Sequence, residues 1–155
     1  MSAGRTSVYE FAGGESAFLA LAHAVTERCI ADPELNHAFS QGMNPRHDEN
    51  LAAYWAEVFG GPKTYSDSLG GHSGMLAIHA GHGTPEEWGD RFAACFIQAM
   101  DDAKLPQDEE FRGLLREYIH WATREVNTYG PMEAQVEPDM PMPRWSWQGL
   151  ESEER

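Results

Sequence analysis

Two histidines sit where an imidazole could do chemistry. In "GMLAIHAGHGTPEEW", residues 74–88, His79 ends a short apolar turn, and Gly81 and Gly83 interrupt the chain before a new helix opens. So short an amphipathic turn buries little surface, and its stability has to come from something it touches. A metal or a metal-bearing cofactor held by a neutral imidazole is one candidate. His47 heads a second apolar stripe, because Leu51, Tyr54, Trp55 and Val58 follow it at helical spacing. Phe92, Cys95 and Phe96 offer an opposing apolar wall. Two histidines on a largely apolar slot suit a flat group that brings its own metal better than a hydrated ion, which wants carboxylate or thiolate ligands. Haem is the natural candidate. A metal site built from His72, His79 and His82 lacks nearby carboxylates at a ligand spacing. The plain alternatives are a helix-end histidine favoured by the dipole for His79 and a first-turn surface residue for His47.

These side chains need a scaffold, and 155 residues with 41% hydrophobic content make about one domain with a core. Eleven Lys and Arg against 25 Asp and Glu give a formal charge of −14. That charge repels nucleic acid and anionic membranes and favours solubility. Cys29 and Cys95 lie in helix-like stretches without disulfide or thiolate-site spacing, as reduced core residues would. No apolar run reaches the length of a signal core or a membrane span, so a cytoplasmic location is expected.

Four substantial helices follow from the periodicity. Phe18, Leu21, Ala22, Val25 and Cys29 recur at steps of three and four up to Asp32-Pro33. Asn44 and Pro45 open a helix over about 45–59 that Gly60-Gly61-Pro62 ends. Thr84 and Glu87 have capping-box spacing ahead of Trp88, Phe92, Cys95, Phe96 and Met100. Phe111, Leu114, Leu115, Tyr118, Ile119, Ala122 and Val126 mark the last helix. From Thr128 the chain is proline-rich, acidic and without an apolar period, so 1–127 reads as the domain and 128–155 as a tail. That tail is expected to be an irregular arm lying partly on the surface, with Trp145 and Trp147 able to dock on the domain or on a partner. The fold class is all-α.

Several pieces together resemble the group II truncated haemoglobins, whose helices form a two-over-two sandwich. They are "AGGESAFLALA", "ADPELNHAF", "YWAEVFGGPKTYS", "GH" at 71–72, "IHAGH" and "REVN". The resemblance covers about residues 10–127. It implies a truncated-globin domain binding haem b through its iron, with His79 as the proximal ligand ahead of Phe92. It puts His47 and Leu51 on the distal helix, Thr26 on the distal position of the first long helix, and Phe39 on the aromatic at the bend. Lys63 and Tyr65 match residues near the propionates. Leu76 stands where the family often has a basic residue aimed at a propionate. The family commonly has tyrosine at the positions of Thr26 and Phe39 and tryptophan at that of Phe92, which leaves His47 as the main distal donor. Tyr54 and Trp55 would line the pocket from the distal helix, although both are core residues in any helical domain.

On this reading, iron held by His79 binds dioxygen or another diatomic reversibly, in oxygen binding or transport, and the other ring N–H of His79 is expected to bond the carbonyl of Met75. His47 either donates to the ligand or reaches the iron itself, and a place at the pocket mouth favours donation. Nitric-oxide dioxygenase or peroxidase-like side activity would use the same site, with an unidentified reductase as partner. Self-association into a homo-oligomer is compatible with all of this. A cofactor-free helical interaction module using the tail tryptophans is the alternative from another class.

Overall fold

Ser7 opens the first helix, α1 (Val8–Ala12), by accepting the Glu10 amide at 3.1 Å. Gly13 and Gly14 then carry φ values of 122° and 77°, where a Cβ would be strained, and so let α2 (Glu15–Ala31) begin at once. The computed structural model describes residues 6–36, 45–79, 85, 87–129, 136 and 140–151, with 77–79 by backbone alone. Within it follow α3 (His47–Val58), α4 (Thr64–Ser68), α5 (Gly71–His79), α6 (Glu87–Asp102) and α7 (Glu109–Thr128). The four long helices are the four expected from periodicity. Two others, α1 and α4, have five residues each, too few for an apolar period to show. Thr84, the expected cap of α6, lies outside the described residues, as does Asn44; α3 starts two residues later than expected, with Arg46 rather than Asn44 at its N-cap and no side-chain cap bond, because Pro45 sits in the turn before it.

α2 packs on both α3 and α6, and α6 on α7, while α4 joins α3 to α5. The result is two helix pairs, α2 with α3 and α6 with α7, laid one over the other. Every residue expected on the inner face of α2 is buried, as are Phe111, Leu114, Leu115, Tyr118 and Ile119 of α7; Ala122 and Val126 are half-buried. The centre is aromatic: Phe59 stacks on Phe18 at 6.0 Å and meets Tyr118 edge-on at 5.0 Å, and Trp55 meets Phe96 edge-on at 4.9 Å. Gly61 permits the closest approach, since a Cβ there would lie 2.7 Å from the ring of Tyr9. Cys29 and Cys95 are free and buried, as expected. Among the described residues no helix is long and apolar enough to cross a membrane.

The tail differs from expectation. Trp145–Ser146 (β1) pairs antiparallel with Gly149–Leu150 (β2), a minimal hairpin whose Gly149 has φ 98°. Trp145 is a core residue, 5% exposed, set edge-on to Tyr118 and Trp121 at 5.5 and 5.9 Å. Trp147 meets Phe11 edge-on at 5.2 Å and donates its indole N–H to the Thr6 carbonyl at 2.8 Å. Further back, the Met140 amide bonds the Ser73 hydroxyl on α5 at 2.8 Å. Single aromatics anchor this segment to the core. They carry no period, so burial here leaves no pattern in the sequence.

Candidate functional site

The expected pocket residues that are described fall on five of the helices, with Lys63 just ahead of one of them. Trp55 is buried on α3, its ring 6.5 Å from that of Phe92 on α6. Leu51, one turn before Trp55, packs on the core while remaining part-exposed, as do Phe92 and Met75 on α5. Leu76, next to Met75, is fully buried, so its side chain lies inside rather than at a solvent-facing propionate edge. His79 is the last residue of α5; its side chain, like the whole of Phe39, lies outside the described residues. Lys63 is exposed just ahead of α4, and Tyr65 is buried with its ring edge-on to Tyr54 at 5.1 Å.

One carboxylate organises the polar group at the start of α3. The Thr26 hydroxyl donates to Asp48 Oδ1 at 2.7 Å, and His47 Nδ1 approaches the same oxygen at 3.2 Å and the Thr26 hydroxyl at 3.4 Å. His23 Nδ1 reaches Asp48 Oδ2 at 3.0 Å, and its Nε2 lies 3.4 Å from Glu27. A carboxylate can only accept, so Asp48 accepts from the Thr26 hydroxyl and requires a proton on Nδ1 of His47. Partial burial pushes the Asp48 carboxyl up, but the hydrogen bonds from Thr26, His23 and His47 outweigh it and hold the group below the usual carboxylate range. The Thr26 hydroxyl proton is directed at Asp48.

A second polar group is buried. His72 on α5, 1% exposed, accepts from or donates to the Tyr54 hydroxyl at 2.7 Å through Nδ1, and its Nε2 lies 3.0 Å from Glu125 on α7. In the sequence His72 stands only in a histidine set short of carboxylates, and neither Asp48 nor Glu125 stands out. Asp48 reads in isolation as an ordinary first-turn acid. His72 and Glu125 belong to the "GH" and "REVN" pieces, 53 positions apart, and nothing in either piece shows that they meet.

Among the described residues no three His, Cys, Asp or Glu side chains are grouped to hold a bare metal ion. Part-exposed apolar side chains on three helices, with one histidine closing α5, fit a planar apolar group that supplies most of its own metal ligands. Haem fits this donor set.

The two stacked helix pairs define a truncated-globin fold. Its solved neighbours include a thermostable haemoglobin from the actinobacterium Thermobifida fusca (30% identity, TM-score 0.65, covering 78% of this chain and 96% of that one). The haemoglobin of Chloroflexus aurantiacus has 25% identity and a TM-score of 0.68 over 79% of this chain and 98% of that one. A group II two-on-two haemoglobin from Agrobacterium tumefaciens shares the fold at 21% identity, TM-score 0.68, over 81% and 97% of the two chains. None of the curated proteins matches in sequence. Residues 7–123 match the bacterial-like globin family, and the chain belongs to it. Haem-based ligand binding is the general function that membership carries.

Proposed function

We propose that this chain binds haem b, that His79 would hold its iron, and that dioxygen or another diatomic binds there within reach of His47. The observation that carries the reading is the position of His79 as the last residue of α5, in a chain of the globin family. Haem iron, when bound, supplies a coordination position for the diatomic. The chain's own residues do the rest. Leu51, Met75 and Phe92 would exclude water from the group, with the Trp55 ring 6.5 Å from that of Phe92. Exclusion of water would slow oxidation of the group's iron.

Asp48 holds the ring of His47 by Nδ1, so a hydrogen bond from Nε2 to the diatomic takes the doubly protonated ring, whose charge the Asp48 carboxylate offsets. Thr26 steadies Asp48 rather than the ligand, because its proton is already given. Lys63, exposed ahead of α4, offers its ammonium to a propionate, while Tyr65 fixes the end of α4 against Tyr54. The tail tryptophans that a cofactor-free interaction module would present are packed on this chain's own α1 and α7.

His79→Gly tests the ligand directly. The variant should lose the ferrous histidine-ligated spectrum and regain it with added imidazole, while His72→Gln retains it. An unaltered spectrum in His79→Gly without imidazole would overturn the assignment.

A further inference from the structure

Ligand binding as proposed above gives His72 and Glu125 no role and uses Tyr54 only as packing for Tyr65, yet α3, α5 and α7 bring the three together inside the protein. Tyr54 is 3% and His72 1% exposed. The phenol oxygen lies 2.7 Å from His72 Nδ1, and His72 Nε2 lies 3.0 Å from one Glu125 oxygen and 3.1 Å from the other. A carboxylate beside Nε2 requires a proton there, so the neutral ring turns its Nδ1 lone pair to Tyr54, and the phenol O–H donates. Burial pushes the Tyr54 phenol well above its ordinary pKa, so the neutral phenol is the species present.

One-electron oxidation of a buried tyrosine needs this arrangement. A phenol that has lost an electron is strongly acidic, and a low-dielectric interior does not tolerate its charge. The electron leaves readily only if a hydrogen-bonded base takes the proton at the same time. His72 is that base, and Glu125 offsets the positive charge the ring then carries. A purely structural role would be served by any matched donor and acceptor. Here the two partners of His72 are an oxidisable phenol on one side and a carboxylate on the other.

We propose that Tyr54, His72 and Glu125 form a proton-coupled redox site, at which Tyr54 gives one electron to an oxidant and its hydroxyl proton to Nδ1 of His72. The physiological oxidant, which rests on the haem-binding reading above, is a hydroperoxide reduced at the haem. The O–H bond of Tyr54 breaks, an N–H bond forms on His72, and Tyr54 becomes a neutral phenoxyl radical. Two such one-electron steps, with two protons from solvent, cleave the O–O bond of one hydrogen peroxide and give two water molecules. After each step an external one-electron donor of the phenol or ascorbate class restores Tyr54, whose proton returns from His72.

The test uses the full chain, with haem content read first from the absorption spectrum. One arm freezes samples after mixing with hydrogen peroxide; the other oxidises the protein with flash-generated tris(bipyridine)ruthenium(III), which needs no haem. Electron paramagnetic resonance should detect a tyrosyl radical in both arms. Tyr54→Phe should lose that signal, and His72→Gln should form it more slowly than wild type or not at all. Glu125→Gln, which keeps a hydrogen-bonding group but no charge, should lower its yield and serves if His72→Gln misfolds. An undiminished signal in Tyr54→Phe, or wild-type formation in both His72→Gln and Glu125→Gln, would overturn the site. A radical in the ruthenium arm alone upholds the relay and overturns the haem as the source of its oxidising equivalents.

Discussion

At the scale of single residues, Asp48 decides how the distal group behaves, because Thr26, His23 and His47 all converge on its two oxygens. If His47 acts on the bound diatomic, His47→Leu should speed dioxygen release by about tenfold, the equivalent of losing about 1.4 kcal/mol of hydrogen bonding. Flash photolysis and stopped-flow release kinetics measure this, and an unchanged release rate would place His47 outside the pocket. The carboxylate also links stability to pH. Its folded pKa is depressed, so its contribution is fully present above the unfolded value of about 3.9 and is lost as pH falls through the lower folded value. Between pH 5 and pH 3 the melting temperature of wild type should therefore fall further than that of Asp48→Asn. Parallel curves for the two proteins would mean the cluster contributes nothing to folding.

At the scale of elements, the turn from α6 to α7 rests on one guanidinium. Arg112 is buried and donates to the carbonyls of Pro106 at 2.9 Å and Leu105 at 2.8 Å, with Asp101 Oδ1 at 2.5 Å. Arg112→Met leaves those buried carbonyls without a donor and should cost about 2–3 kcal/mol. A chemical-denaturation midpoint unchanged from wild type would contradict that. Nothing in the sequence singles out Arg112, which reads as one more charge in an amphipathic helix. The long helices were legible for the opposite reason: Phe18 to Cys29 and Phe111 to Ile119 repeat at helical spacing, and burial enforces the repeat. Side chains that meet across distant elements leave no such record, which is why the Thr26–Asp48 and His72–Glu125 contacts and the docking of Trp145 had to be seen. His79 and His47 were legible as candidates from their place on apolar turns. Their partners were not.

At the scale of the whole molecule, a formal charge of −14 keeps the protein away from polyanions, and compactness has to come from the aromatic core and from whatever fills the apolar edge between α3 and α6. A ligand bound only by the native state stabilises it by mass action, by about 4 kcal/mol at a thousand times its dissociation constant. Haem removal should thus lower the melting temperature and make residues 71–83 the first to be cut by a protease. Equal cutting of that segment in haem-bound and haem-free protein would detach α5 from haem binding. That this globin is a haem protein with His79 as its ligand is tested by titrating the haem-free chain with haemin and recording its absorption spectrum. Wild type should saturate at one haem per chain with an intense band near the violet edge of the visible, and His79→Ala should show no such stable complex. A wild-type protein that stays colourless, or a His79→Ala titration identical to wild type, would contradict it.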